Sequence, residues 1–407
     1  MSGAFSFSFA FHRSTPPGAG GIAVIELYGR GAEPLLGRLF EAGRLPAAGR
    51  ARLGALRDLS GEPIDEAIVS RVPAAGMWCR LPAFTVSLHG GAWIQRRVCE
   101  TLAAAGGREL DARGVLLLAL EERALDAIEA AAFELLIEAR TERAAAYFLR
   151  QHGGELSRRL AAIAELCGTG GDGGWSVTQE LDALLAGSGA AYRLGRPLRV
   201  LIAGRPNSGK STLFNALVER ERVIVSADVG TTRDFIRETI ALDGFPVELI
   251  DSAGLHSSPA DPVEKEAISR LRREEADAVL YLVRPPWSLL PEEESFLRRF
   301  PPDAVLRVAT FGDVPPGSDA ERAALERFSA RIAAVKGDGL DALRREVSRR
   351  WLAESEVSPE RDPVAPFTER QRELVREALE KAGDPHEPGR LDAVRRVLII
   401  CLRSSWP

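Results

Sequence analysis

The segment Gly204-Arg205-Pro206-Asn207-Ser208-Gly209-Lys210-Ser211-Thr212 constrains this 407-residue chain more than any other. It is entered from the apolar run LRVLIA and left through STLFNALVERE, a β-favouring stretch before and a helix-forming stretch after. In that context GxxxxGK[ST] is a phosphate-binding loop. Glycines let backbone amides close around phosphate oxygens, Lys210 reaches the outer phosphates, and Ser211 supplies a hydroxyl for Mg²⁺. The helix N-terminus adds its partial positive charge. Asn207, Ser208, Gly209, Lys210, Ser211 and Thr212 are therefore the first candidate nucleotide contacts.

Further motifs follow in the order a nucleotide hydrolase needs. In VGTTRD, Thr231 or Thr232 is placed to close on Mg²⁺ and the γ-phosphate as a switch segment. VELIDSAG ends a strand at Asp251, the acidic partner of the metal, and brings Ser252, Ala253 and Gly254 to where a γ-phosphate is sensed. VATFGDV ends another strand at Asp313. The base-reading motif of GTPases is NKxD, whose Asp takes the guanine N1 and N2 hydrogens. Here the Asp stands with Thr310 and Phe311 in place of Asn and Lys, and Phe311 offers a ring for stacking. The Ser-Ala-Lys element expected last reads Ala333-Ala334-Val335, before KGDGLDAL.

The remainder fixes the setting. Apolar residues are 45% of the chain and charged residues 27%, the balance of a folded, water-soluble protein. No run reaches the roughly 18 apolar residues of a membrane span. The N-terminus lacks a basic region ahead of its apolar residues, so a cytoplasmic protein is expected. Cys79, Cys99, Cys167 and Cys401 form no CxxC pair, which argues against zinc and against a disulfide framework. A net charge of −5 gives no global field for nucleic acid, so any RNA contact must be local; the arginines of LRREVSRRW and AVRRVLIICLR are candidates.

Residues 1–110 mix short β-type runs with Gly and Pro turns and predict an α+β domain. Residues 111–195 are Ala/Leu/Glu/Arg-rich with apolar spacing of three and four, predicting a helical hairpin through 166 and a further helix after the CGTGGDGGWS loop. Residues 196–354 alternate strands with helices, as in a doubly wound parallel sheet, and helical character returns over 355–407. The prediction is an α/β P-loop GTPase domain of Ras-like type inserted into an all-α domain, behind an α+β N-terminal domain.

TPPGAGGIAVIEL, LHGG and GRPNSGKSTLFNAL...GTTRD...DSAGL, with the inserted G domain, resemble the tRNA modification GTPase family MnmE/TrmE. The resemblance implies GTP hydrolysis without an arginine finger: K⁺ takes that role, held at Asn207 and at Ser226, Asp228 and Thr231, while Ser211 and Thr232 hold Mg²⁺. It implies Glu264 as the residue that orients the attacking water, with Lys210 and Thr232 as its catalytic companions. It also implies a homodimer formed through the N-terminal domain. The partners it implies are tRNA and a flavin-dependent enzyme, acting together on the wobble uridine to give a 5-carboxymethylaminomethyl-type product.

Formyl-tetrahydrofolate would be the cofactor of that modification, but the matching positions depart from the family. Glu26 stands where an Arg is usual, Thr85 where an acid is usual, and Arg123 where a Lys is usual. At the chain end, Cys401 is kept while Arg403 and Ser404 replace Gly and Lys. Reversed charge loses attraction for an anion and adds repulsion, which counts against folate. The alternatives are a regulatory or assembly GTPase that has lost the folate chemistry, and a non-hydrolysing nucleotide-binding scaffold.

Overall fold

The computed structural model describes residues 7–16, 18, 20–41, 44–168, 173–221, 236–251, 276–352, 362–383 and 389–404. It divides into two compact units, the first ending at Ala130 and the second beginning at Ala131.

In the first unit β1 (Ala10–Arg13), β2 (Ile22–Tyr28), α1 (Ala32–Leu39), β3 (Phe40–Glu41), β4 (Arg50–Arg57), β5 (Pro63–Val72), β6 (Ala83–His89), α2 (Ala92–Ala104), β7 (Arg108–Leu110) and α3 (Ala112–Glu121) follow in order. The sheet runs β3-β4-β5-β6-β2-β1-β7. Alternation assigns its faces: Ala23, Ile25 and Leu27 pair with Leu88, Val86 and Phe84 across β2 and β6, and all six join the core beneath α1 and α2. The opposite face of β2 carries Glu26 and Tyr28. Gly20 and the LHGG segment pinch together, since a β-carbon on Gly90 would meet the Gly20 carbonyl oxygen at 2.3 Å. Asp111 caps α3 by accepting from the Gly114 amide at 2.7 Å.

The hairpin expected between residues 113 and 166 is instead four helices: α3, α4 (Ala127–Ile137), α5 (Glu142–His152) and α6 (Glu155–Leu166). The breaks have local causes. Arg123 turns with φ 57°, Thr141 caps α5 through its hydroxyl, and Gly154 turns with φ 85°. Two more helices, α7 (Gly173–Ala186) and α8 (Ser188–Gly195), lead to the nucleotide-type sheet.

That sheet comprises β8 (Leu198–Gly204), β9 (Ile236–Leu242), β10 (Phe245–Asp251), β11 (Ala278–Val283), β12 (Val305–Ala309) and β13 (Ala330–Arg331), in the order β13-β12-β11-β8-β10-β9. Helices α9 (Lys210–Glu221), α10 (Pro291–Leu297), α11 (Asp319–Leu325) and α12 (Leu340–Val347) accompany it. The expected parallel sheet is corrected at one edge: β9 runs antiparallel to β10. Asp243-Gly244 makes this possible, with φ of 50° and 81°, the signature of a two-residue hairpin turn. The carboxyl ends of β8, β10, β11 and β12 share one edge of the sheet, where ligands bind in open α/β folds.

Before the sheet, α7 packs on α13 (Glu369–Gly383) and α6 on α14 (Arg390–Ser404) after it. Tyr147 donates to the Ala365 carbonyl at 2.8 Å, and Phe148 meets Phe367 edge-on at 5.5 Å. The insertion is held by Arg143, which forks onto Asp362 at 2.6 Å, donates to the Asp243 carbonyl at 2.7 Å and lies 4.2 Å over Phe245. The pair is nearly buried, so removing one member strands the other. Arg143→Ala is expected to lower stability by about 3 kcal/mol or more, read as a fall in the urea midpoint; a change within about 0.5 kcal/mol would show that the fork does not hold the insertion.

Candidate functional site

The loop between β8 and α9 is shaped by two glycines. Gly204 has φ 148°, and a β-carbon there would lie 2.4 Å from the Leu282 carbonyl oxygen of β11. Gly209 has φ 91°, with no atom within 4 Å of its would-be β-carbon, so it opens the cradle that Gly204 closes. Between them Asn207 turns with φ 59° and is exposed, whereas Ser208 is fully buried. Lys210 is buried; its Nζ donates to the Gly204 carbonyl at 2.9 Å and to the Arg205 carbonyl at 3.1 Å. The ammonium is folded back over its own loop.

Ser211, at the start of α9, donates through Oγ to Asp251 Oδ2 at 2.9 Å. Asp251 closes β10 in register with Ile202 of β8 and is almost wholly buried. A hydroxyl and a carboxylate at this separation are hard oxygen donors of the kind Mg²⁺ takes, so the residues present fit that ion. Thr212 follows, exposed, in the first turn of α9.

The other end of the sheet edge carries Thr310 and Asp313. Thr310 is buried, its amide donating to the Val283 carbonyl at 3.0 Å and its hydroxyl lying 3.4 Å from the same oxygen. Phe311 turns with φ 56° and is 43% exposed, leaving its ring available for stacking. Asp313 Oδ2 pairs with Lys336 at 2.9 Å, and that ammonium holds the carboxyl below its ordinary range. Lys336 directly follows Val335, the counterpart of the expected lysine, which is itself 89% exposed.

The structure thus brings Ser211 to Asp251 and folds Lys210 onto its loop, while Thr310 and Asp313 have partners of their own. Glu264, Thr232, Ser252, Ala253, Gly254, Ser226, Asp228 and Thr231 lie outside the described residues.

Three residues without a sequence-assigned role tie this edge together. Arg205 donates through Nε and a terminal nitrogen to the two Glu293 oxygens at 2.8 and 2.6 Å, and to the Ser288 carbonyl at 2.6 Å. Burial would raise the Glu293 carboxyl, but Arg205, the Leu290 amide and the Tyr281 hydroxyl outweigh it and hold it low. Trp287 donates its indole N–H to the Thr310 carbonyl at 3.0 Å. LPEEE, with proline opening a helix and Glu at its third position, is a local signal for Glu293; the long-range partners leave none.

In the first unit, Glu26 and Thr85 are direct cross-strand neighbours. The Glu26 carboxylate is buried and accepts from the Tyr28 hydroxyl and from Trp78 Nε1, the latter at 3.2 Å. Burial, then Cys79 and Glu26 beside it, push the Tyr28 phenol up, so it stays a donor. A buried carboxylate already served by neutral donors does not fit an anionic folate. Arg123 is exposed, and Cys401 is wholly buried in α14. A cavity of about 1120 Å³ in this unit is lined by Tyr28, Arg30, Glu33, Arg71 and Phe84 among others, with Arg71 forked onto Glu33.

Residues 10–114 match the family described as GTP-binding protein TrmE N-terminus, and residues 199–307 match the 50S ribosome-binding GTPase family. The chain is 34% identical to a tRNA modification GTPase MnmE of Thermus thermophilus, over 91% of this chain and 88% of that one. The chain belongs to the MnmE family. The Aquifex aeolicus MnmE is 30% identical over 85% of this chain and 82% of its own. The Methylorubrum populi MnmE is 36% identical over 80% and 77%. Membership brings a GTPase domain with GTP as its nucleotide. Among the described residues no helix is long and apolar enough to cross a membrane.

Gly204→Ala drives a methyl group into the Leu282 carbonyl. It is expected to abolish binding of a fluorescent GDP analogue and to cost roughly 2 kcal/mol of stability; a variant that melts and binds like the parent would show that the loop tolerates a side chain.

Proposed function

We propose that this chain hydrolyses GTP with Mg²⁺ and K⁺, and that its nucleotide cycle serves regulation or assembly and not folate-dependent uridine chemistry. The observation that carries the hydrolytic reading is the Ser211–Asp251 contact of 2.9 Å beside the buried Lys210. Lys210 leaves the Gly204 and Arg205 carbonyls for the β- and γ-phosphates, offsetting charge that grows there in the transition state. Ser211 and Thr232 hold Mg²⁺, with Asp251 fixing Ser211 from behind. Ser252, Ala253 and Gly254 follow the γ-phosphate, and Glu264 orients the water.

Potassium, when bound, supplies the positive charge that an arginine finger supplies in other GTPases. Asn207 serves it from the exposed turn of the loop, and Ser226, Asp228 and Thr231 complete the oxygen set. Two G domains meeting across a homodimer shield that charge from water, which strengthens its action on the phosphates. Asp313 reads the guanine edge, with Thr310 behind it. We keep the domain division 1–110, 111–195, 196–354 and 355–407 as the functional one, with nucleotide chemistry confined to the third segment.

The second half of the proposal rests on Glu26, whose buried carboxylate repels the ligand that the modification reaction needs. The arginines offered to tRNA are partly engaged: Arg349 pairs with Glu346 at 2.7 Å and Arg350 donates to the Asp303 carbonyl at 2.9 Å. The competing reading is tRNA modification, the activity in the relatives' name, taken here as wobble-uridine chemistry with a flavin-dependent partner. Titration with formyl-tetrahydrofolate separates the two: no saturable binding is expected, and stoichiometric binding would restore the modification reading.

Phosphate release from GTP is expected to be roughly tenfold or more faster in KCl than in NaCl at equal ionic strength. Asn207→Ala is expected to remove that difference while leaving GTP bound. Equal rates in both salts would end the potassium mechanism, and GTP bound but not cleaved in either would leave the scaffold reading.

A further inference from the structure

The connection from β11 to α10, residues 284–290, has no part in phosphate chemistry, yet it is held at both ends of the nucleotide edge. Trp287 lies within it, 2% exposed, with φ 54°. A bulky side chain in the left-handed region is uncommon and persists only where surrounding contacts over-determine it. Asn207 in the phosphate loop and Phe311 before Asp313 share this conformation, at φ 59° and 56°.

The contacts run in one direction from phosphate to base. Arg205 grips Ser288 and Glu293, at 2.6 Å to the Ser288 carbonyl, which ties the connection to the phosphate loop. One residue earlier, the Trp287 indole N–H grips the Thr310 carbonyl at 3.0 Å. Arg331 lies 5.8 Å over the Trp287 ring and donates to the Val314 carbonyl at 2.9 Å. The backbone is therefore fixed on both sides of Asp313, at Thr310 by Trp287 and at Val314 by an arginine resting on the same ring.

We propose that Trp287 is a positioning residue for base recognition, holding the Thr310–Val314 segment in register with the phosphate loop so that the Asp313 carboxylate meets the guanine edge. This rests on the reading of Asp313 as the base-reading carboxylate. Thr310 is buried with its hydroxyl directed at Val283, so the indole and not the threonine side chain links this segment to the neighbouring connection. The role is one of specificity: a misplaced carboxylate loses the hydrogen bond to the guanine 2-amino group while the phosphates remain held.

The test uses the full chain with Mg²⁺ and displacement of a fluorescent GDP analogue by GTP and by ITP, which lacks the 2-amino group. Trp287→Phe removes the N–H and keeps a ring. It is expected to reduce the preference for GTP over ITP roughly three- to tenfold, with ITP, which keeps the N1–H, weakened less than GTP. Trp287→His, which retains a ring N–H, is expected to recover part of the preference. If both nucleotides weaken by the same factor, or neither weakens, the positioning role is overturned. Where Trp287→Phe lacks a cooperative melt, Trp287→His decides: a GTP/ITP preference reduced but not lost supports the N–H link, and an unchanged preference overturns it. Asp313→Asn tests the underlying reading separately, because an amide N–H suits the 2-oxo group of xanthine. Preference should move from GTP to XTP, and unchanged affinities for both would place the base reader elsewhere whatever Trp287 does.

Discussion

The close approach of Gly204 to the Leu282 carbonyl governs the nucleotide edge. These residues are register partners on the adjacent parallel strands β8 and β11, and no β-carbon fits between them. Because the chain can turn there, the loop passes over the sheet edge and returns as α9 with Lys210 and Ser211 in its first turn. Because β10 lies on the other side of β8, that same turn delivers Ser211 to Asp251. Phosphate and metal chemistry thus follow from one steric condition between two strands.

Phosphate and base ends are held by different means. At the phosphate end the backbone itself is the ligand, and short motifs suffice. At the base end the motif residues have changed, and the segment is secured by tertiary contacts: Trp287 on Thr310, Arg331 on Val314 and Lys336 on Asp313. Arg205 joins the two ends through Ser288 and Glu293. A partly buried, bidentate ion pair of this kind contributes geometry more than stability, which suits a joint between two binding elements.

This division explains what is legible in the sequence. Gly204, Gly209, Lys210, Ser211 and Asp251 can be read because each acts through local conformation and fixed spacing. Strands β2 and β6 are legible from alternation, and their order in the sheet is not. The four-helix course of residues 112–166 reads as a hairpin because only its last break, at Gly154, falls at a glycine, while the others fall at Arg123 and Thr141. The antiparallel edge strand has a signal in Asp243-Gly244 that strand-helix alternation overrides. Arg205, Trp287 and Lys336 escape because their partners are distant in sequence. Glu26 stands out as a charge reversal, but its burial beneath Tyr28 and Trp78 emerges only from the fold.

Family membership and the local chemistry agree on the G domain, while at the N-terminal sheet Glu26 is a buried carboxylate that accepts from Tyr28 and Trp78. The central claim is that the β8–α9 loop and the Thr310–Val314 segment together form a guanine-nucleotide site. Calorimetric titration of the full chain with GDP and ADP in Mg²⁺ tests it most directly. The account predicts GDP bound at least roughly a hundredfold more tightly than ADP, since adenine cannot satisfy the Asp313 carboxylate. Equal affinities would contradict it.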